Sequence, residues 1–345
     1  MTMFRTLTIL LSCLTFAGYA APHFDPYTFW PLAFLGLAYP IFALANILVL
    51  LFWIARKPRI WAFIPCMTLL AGIGHFNGLI GLRGFGERVP GEKSFRVVSY
   101  NVRRFQPHGQ PFGFVISRSE WERELRALRP DILVLQEFEA VPSIEAAAVC
   151  NQLGLKYQAR TKGQDLVIFS KFPVRRSEAF IFHKIYGFRY ADIDVGGKVF
   201  RVFSVHLQSN AITRMADRVT EYGNFKEKRT WLEIKGMLGR YRRAARIRQG
   251  QAQKIAEFVR QSPYPVILCG DLNDVSQSRV YHILGAGLQD AFLERGSGWG
   301  VTYAGSLPAL RIDMVFADVV MEVIRCKTGK TGFSDHQPII VDFAQ

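Results

Sequence analysis

Charge is almost absent from the first quarter of the chain. Residues 6–24, 26–55 and 60–82 contain no Asp, Glu, Lys or Arg, and each run is close to or longer than the roughly 20 residues a helix needs to cross a bilayer. None of the three shows the polar stripe of a helix packed on a water-facing core, so the pattern predicts about three transmembrane helices. Trp30, Trp53 and Trp61 fall near run ends, where amphipathic rings sit at a membrane interface. Residues 1–20 also fit a signal peptide, with Arg5 as basic flank, an apolar core from Leu7 and a small-residue site at Gly18-Tyr19-Ala20. The first segment is therefore either a span or a cleaved leader.

From Arg83 onward the pattern changes to short runs of Val, Ile, Leu and Phe between polar turns. Such runs predict strands at 95–101, 131–137, 166–170, 190–195, 199–207, 265–270, 311–317 and 338–343. Val195-Gly196-Gly197-Lys198 carries a two-glycine hairpin signal. Helices are expected at 118–128 before Pro130, at 142–153 before Gly154 and at 235–261 before Pro263. The organisation expected is a membrane anchor over 1–82, a Gly-rich connector over 83–94 and one layered α/β domain over 95–345. At roughly 3.3 to 3.6 Å per residue the connector reaches about 45 Å at most, so the domain stays near the bilayer.

Composition sharpens this division. The 345 residues carry a net charge of +15, yet residues 1–82 hold only Arg5, Asp25, Arg56, Lys57 and Arg59. A disordered or wholly water-facing chain is thereby excluded. The cluster Arg56-Lys57-Pro58-Arg59 lies between the second and third apolar runs, and short basic loops stay in the cytoplasm. The domain after residue 83 is thus expected outside the cytoplasm, on the inner membrane of the cell. Its own excess charge concentrates in residues 214–260, where thirteen Lys or Arg face five Asp or Glu. Such a stretch fits phosphate, of nucleic acid or of lipid headgroups, or else a solvated helix face. Of five cysteines, Cys13 and Cys66 lie in the apolar runs, and no spacing indicates a disulfide framework or zinc site.

Polar residues at the ends of the predicted strands are Asn101, Glu137, His206, Asp271 with Asn273, Asp313, and Asp335 with His336. Each alone reads as a turn, a cap, a core histidine or, for Asp313, a salt bridge to Arg311. Together they offer hard oxygen ligands and two imidazoles, which suits Mg²⁺ and metal-assisted phosphoester hydrolysis.

These residues sit in the ordered motifs Ser99-Tyr100-Asn101-Val102, Leu135-Gln136-Glu137, Val205-His206-Leu207, Gly270-Asp271-Leu272-Asn273-Asp274, Arg311-Ile312-Asp313 and Ser334-Asp335-His336. The set resembles the endonuclease/exonuclease/phosphatase superfamily of metal-dependent phosphoesterases, from about residue 95 to 343. The resemblance implies a four-layer α/β-β/α sandwich of two mixed β-sheets flanked by helices. It also implies Glu137 as main Mg²⁺ ligand (Mn²⁺ as a substitute), with Asn101 and Asp335 beside it. Asp271 would orient or deprotonate the attacking water, Asn273 would hold the phosphate or that water, and His206 would donate to a phosphoryl oxygen. His336 paired with Asp313 would stabilise developing charge or act as base. Two departures stand out: His206 replaces the Tyr usual in abasic-site endonucleases, and Asp165 stands where a Gly is common.

The expected activity is hydrolysis of a phospholipid or phosphorylated headgroup by a membrane-tethered enzyme, the alternative being a membrane-anchored nuclease. Expected partners are the bilayer and an anionic phosphate-containing substrate, and no protein partner is inferred. A catalytically silent adaptor is disfavoured because every motif position is filled.

Overall fold

The computed structural model describes residues 1–76, 78, 80–82, 91, 93–106, 117–138, 146–161, 163–209, 227–304 and 310–345. Most of the connector, residues 142–145 of the second predicted domain helix and the start of the basic stretch lie outside these. The chain forms two compact units, one of residues 1–79, 210–249 and 274–283, the other of residues 80–209, 250–273 and 284–345.

In the first unit, α1 (Thr2–Ala20), α2 (Pro26–Leu37), α3 (Tyr39–Ala55), α4 (Phe63–Ala71) and α5 (Ile73–Phe76) follow one another. The helical segment Thr2–His23 is the one helix among the described residues long and apolar enough to cross a membrane by itself. The 26–55 run is not one straight span. Asp25 caps α2, Phe29 and Pro31 disturb it, and α2 meets α3 at a 52° bend where Pro40 opens α3, because proline supplies no N–H and clashes with the preceding turn. The 60–82 run also departs from a single helix. Its apolar helical part, Arg59–Ala71, is shorter than a span, and Gly72 caps α4. Residues Ile80–Leu82 leave the unit altogether, as strand β1.

Side-chain contacts fix the order of these helices. Trp53 Nε1 donates to Thr8 Oγ1 at 2.9 Å, Asn46 Nδ2 donates to Thr15 Oγ1 at 2.7 Å and Tyr19 packs on Tyr39, so α3 runs antiparallel to α1. Tyr19 Oη donates to the Thr68 carbonyl at 2.9 Å while Trp61 neighbours Trp53 and Arg5, so α4 turns back again. The interior of this bundle is polar and its exterior apolar. Thr8, Ser12, Thr15, Asn46 and Thr68 are buried, whereas Leu7, Leu10, Phe16, Leu44, Leu48, Leu51, Met67 and Leu70 are exposed. Small and polar residues thus make the contacts between these helices, and apolar ones face outward.

The second unit holds two six-stranded sheets. Its elements in chain order are β1, β2 (Ser94–Asn101), α6 (Arg118–Leu128), β3 (Ile132–Gln136), α7 (Ala146–Leu153), β4 (Tyr157–Ala159), β5 (Val167–Ser170), β6 (Val174–His183), β7 (Tyr186–Val195) and β8 (Lys198–His206). Next come α8 (Lys228–Arg260), β9 (Val266–Asp271), α9 (Arg279–Leu284), β10 (Leu288–Asp290), α10 (Ala291–Arg295) and β11 (Ser297–Trp299). The chain closes with β12 (Asp313–Asp318), β13 (Val323–Thr328) and β14 (Ile339–Ala344). Of these, residues 228–249 of α8 and 279–283 of α9 belong to the first unit.

One sheet has the order β13-β14-β2-β3-β5-β4 and the other β10-β12-β9-β8-β7-β6; β1 pairs with β11. Among the described strands, β2 with β3 and β8 with β9 are the parallel pairs. Phe95, Val97, Ile132, Val134 and Ile168 of the first sheet share a core with Ile193, Val202, Ile267 and Val315 of the second. The outer face of the first sheet packs Tyr100, Leu133 and Leu135 on Trp121 and Leu125 of α6. On the second, Phe258 of α8 meets Phe180 and Phe188. Both sheets are covered on both faces, which is why the central strands read as continuous apolar runs. The result is the expected sandwich of two mixed sheets between helices.

Candidate active site

Strand register assembles the polar residues. In the two parallel pairs Asn101 is opposite Gln136 and His206 is opposite Asp271, so β2, β3, β8 and β9 all end at one edge. Antiparallel β12 starts where β9 stops, with Asp313 opposite Asp271. Gly270 makes this convergence possible: its φ is +142°, and a Cβ there would stand 2.0 Å from the Val205 carbonyl oxygen. Glu137 and Asn273 follow their strands with φ of +52° and +50°, a left-handed conformation that costs a glutamate about 1–2 kcal/mol. Such strain in a strand-end carboxylate marks a position held for what its side chain does.

Asn101 Nδ2 donates to Glu137 Oε1 at 3.2 Å and to Asp271 Oδ2 at 3.1 Å. Its Oδ1 accepts the Arg103 N–H at 3.0 Å, so in this arrangement the amide bridges two carboxylates. Asn273 folds back in the same way. Its backbone N–H donates to Asp271 Oδ1 at 2.7 Å, and Nδ2 donates to Asp271 Oδ2 and to the Leu207 carbonyl. Asn273 therefore orients Asp271. His206, fully buried, brings Nε2 to 3.7 Å from both Glu137 and Asp271. Burial lowers its pKa, against the pull of Glu137.

His336 Nδ1 lies 2.9 Å from Asp313 Oδ2, and its Nε2 lies 3.8 Å from Asp271. Arg311 does not compete for Asp313, because it makes a two-pronged pair with Asp290 at 2.7 and 3.1 Å. Burial alone would lower the His336 pKa, but Asp313 and Asp271 outweigh it and raise it to about 10. The ring is a cation. Burial raises Asp271, against the His336 charge, to about 7. Asp271, Asp313 and His336 can bring one ligand atom each within 4.8 Å of one another. Asp335, partly exposed, is ion-paired to Arg103 at 3.4 Å. The eight residues predicted from sequence thus occupy one strand-end region, with Asp335 linked to it through Arg103.

Three supporting residues were not legible as such. Thr302 Oγ1 accepts the N–H groups of Ile312 and Asp313 at 3.0 Å each, and its carbonyl accepts the Gln337 N–H at 2.7 Å. Ser334 Oγ donates to the Asn101 carbonyl and accepts the His336 N–H. The Tyr303 ring packs edge-on to His336, with centroids 5.4 Å apart. A lone Thr-Tyr pair in a Gly-rich segment carries no sequence signal for this role. Ser334 at least lay within a motif.

The donor set fits a hard divalent cation. Glu137 and Asp271 converge on a single amide nitrogen, and carboxylates this close are stabilised by a cation with oxygen preference.

Comparison with known proteins agrees with this architecture. Residues 1–79 match a family model described as a domain of unknown function (DUF8431). No curated protein matches the sequence significantly. Among solved structures, an endonuclease/exonuclease/phosphatase from Beutenbergia cavernae DSM 12333 is similar at 18% identity and TM-score 0.51, over 73% of this chain and 72% of that one. A humanized D. rerio TDP2 carrying 14 mutations is similar at 17% identity and TM-score 0.50, over 74% of this chain and 100% of its own. Residues 98–336 match the Endonuclease/Exonuclease/phosphatase family model, and the chain belongs to that family of hydrolases acting on phosphoric ester bonds.

Proposed function

We propose that this protein is a membrane-tethered, metal-dependent phosphoesterase whose catalytic domain faces away from the cytoplasm and whose substrate is a phospholipid or a phosphorylated headgroup. The observation that carries the membrane and lipid reading is the inverted helical bundle, apolar outside and polar within, in the same chain as the phosphoesterase domain. Orientation is supported by the two ends of that bundle. Arg5, Arg56, Lys57 and Arg59 gather at the end marked by Trp53 and Trp61. The opposite end, around Pro22, Pro26 and His75, is bonded by Arg279, Arg246 and Gln277. The basic end is the cytoplasmic one by charge bias.

In this reading Glu137 and Asp335 offer oxygens to Mg²⁺ or Mn²⁺, and Asn101 sets the position of Glu137. The ion, when bound, would polarise the phosphoryl group and offset its charge. Asp271 accepts the proton of the attacking water, held in place by Asn273 and Asn101. His336, kept cationic by Asp313, offers Nε2 toward charge building on the phosphoryl oxygens, and His206 donates from the other side of Asp271.

The test is to give the detergent-solubilised full chain Mg²⁺ with bis-p-nitrophenyl phosphate, a phospholipid panel and plasmid DNA side by side. Turnover of a phospholipid or headgroup ester is expected. Cleavage of DNA with none of lipid would instead make it the anchored nuclease. A reporter fused after Gln345 should be active only outside the cytoplasm, and cytoplasmic activity would reverse the orientation.

A further inference from the structure

The basic stretch is not uniform once folded. Its described part is α8, and residues 228–249 of that helix belong to the same compact unit as the apolar bundle. One face of this part is committed to the interior. Tyr241 Oη donates to the Ala33 carbonyl at 2.7 Å, and Arg248 is fully buried against Asp274 at 3.0 Å. Arg246, half-buried and lying on the wheel between Arg242 and Leu232, reaches the Pro26 and Tyr27 carbonyls at 3.2 and 2.8 Å. These bonds seat the helix at the bundle end where Phe24, Tyr27 and Phe29 are exposed. Exposed aromatics at the end of an apolar bundle mark the headgroup level of a bilayer.

The opposite face differs in kind. Lys235, Arg240, Arg242 and Arg243 are all exposed, and none forms an ion pair with a described residue. Trp231 and Leu232 are 57% and 58% exposed, and Ile247 is exposed as well. At 100° per residue, Trp231, Lys235 and Arg242 line one flank, Leu232 and Arg243 the centre, and Arg240 and Ile247 the other flank. The one acidic residue between 228 and 249, Glu233, is paired with Arg229 at 3.2 Å. A solvated face would mix its signs; this one presents cations without an ion-pair partner among the described residues, between large apolar side chains.

We propose that this face of α8 docks on the anionic headgroups of the bilayer that holds the bundle, an inference that rests on the membrane reading above. Guanidinium groups match phosphate oxygens in two-pronged geometry. Trp231, Leu232 and Ile247 enter the boundary below the phosphates while the cations stay level with them. A polynucleotide is the weaker occupant, because strand binding without base readout relies on rows of exposed aromatics, and Trp231 is the single exposed aromatic on this helix. The docking surface would keep the enzyme on lipid patches rich in negative charge.

The experiment places a photoreactive benzophenone side chain at Ile247, or at Leu232, in the full chain reconstituted in nanodiscs. One set of discs is pure phosphatidylcholine and the other contains phosphatidylglycerol; a third probe sits at Leu48, exposed on α3. Each cation near an anionic surface is worth roughly fivefold in binding. Lipid adduct at Ile247 and Leu232 is therefore expected to be at least about tenfold higher with phosphatidylglycerol, and to fall at least as far in K235Q/R240Q/R242Q/R243Q, whose positions are all exposed. The Leu48 probe should react with lipid in every disc. Equal Ile247 adduct in both lipids, an unchanged adduct in the quadruple variant, or transfer of the adduct to added DNA overturns the docking proposal while Leu48 still reacts. Absence of lipid adduct at Leu48 overturns the membrane reading, and the proposal with it.

Discussion

Thr302 gives the most direct check on how the site is held. It is fully buried, its hydroxyl oxygen accepts two backbone N–H groups, from Ile312 and Asp313, and its carbonyl accepts that of Gln337. One residue thus ties the segment carrying Asp313, through its side chain, to the segment carrying His336, through its backbone. Thr302→Val keeps the shape and leaves two buried donors without partners, at about 1–3 kcal/mol each. Thr302→Ser keeps the oxygen and loses one methyl, about 1 kcal/mol. At about 2–4 °C per kcal/mol for a domain of this size, the valine variant should melt about 5–15 °C lower and the serine variant about 2–4 °C lower. Because the valine frees the N–H of Asp313 itself, it should also lower kcat on bis-p-nitrophenyl phosphate by at least about tenfold, while serine stays within about threefold. Thermal melting and steady-state kinetics of the two variants decide the matter. Valine and serine variants that melt and turn over alike would refute the claim that this oxygen sets the dyad.

Three further outcomes are expected. His336→Ala, Asp271→Ala and Glu137→Ala should each lower turnover by at least about a hundredfold, and chelation should abolish wild-type activity until Mg²⁺ is restored; near-normal rates in all three would remove the site assignment. Gly270→Ala, whose Cβ would overlap the Val205 carbonyl at positive φ, should cost more than about 2 kcal/mol, seen as loss of folded protein or a lower melting temperature. Arg248→Met should destabilise by about 3–5 kcal/mol because it strands buried Asp274, and combining it with Asp274→Leu should recover much of that in the same melting assay.

The sequence was most readable where burial was complete. The central strands are covered on both faces, so their apolar runs stood out, and the polar residue ending each run marked the site. Strand β6 was not predicted, because at the edge of its sheet it exposes Arg175 and Arg176 and carries half-buried Glu178, which together break the apolar run. Short β4, β10 and β11 were missed because three residues carry no periodicity. Apolar composition exposed the helical first unit but not its geometry. A run without charges cannot show that Pro31 and Phe29 disturb α2, or that residues 80–82 pair with Ser297–Trp299.

The chain's own residues determined the family, the division between an uncharged front and a charged domain, and which eight polar residues lie at the strand ends, since each depends on local residue type and order. Tertiary structure decided the partners. Arg311 could have bonded Asp313 two positions away, yet the sheet gives Arg311 to Asp290 and leaves Asp313 for His336. The same holds for the basic stretch, where Arg246 and Arg248 turn inward while Arg240, Arg242 and Arg243 remain exposed. Charge is a property of sequence, but which charge meets which depends on register and packing, and these exist only once the sheets and helices are in place.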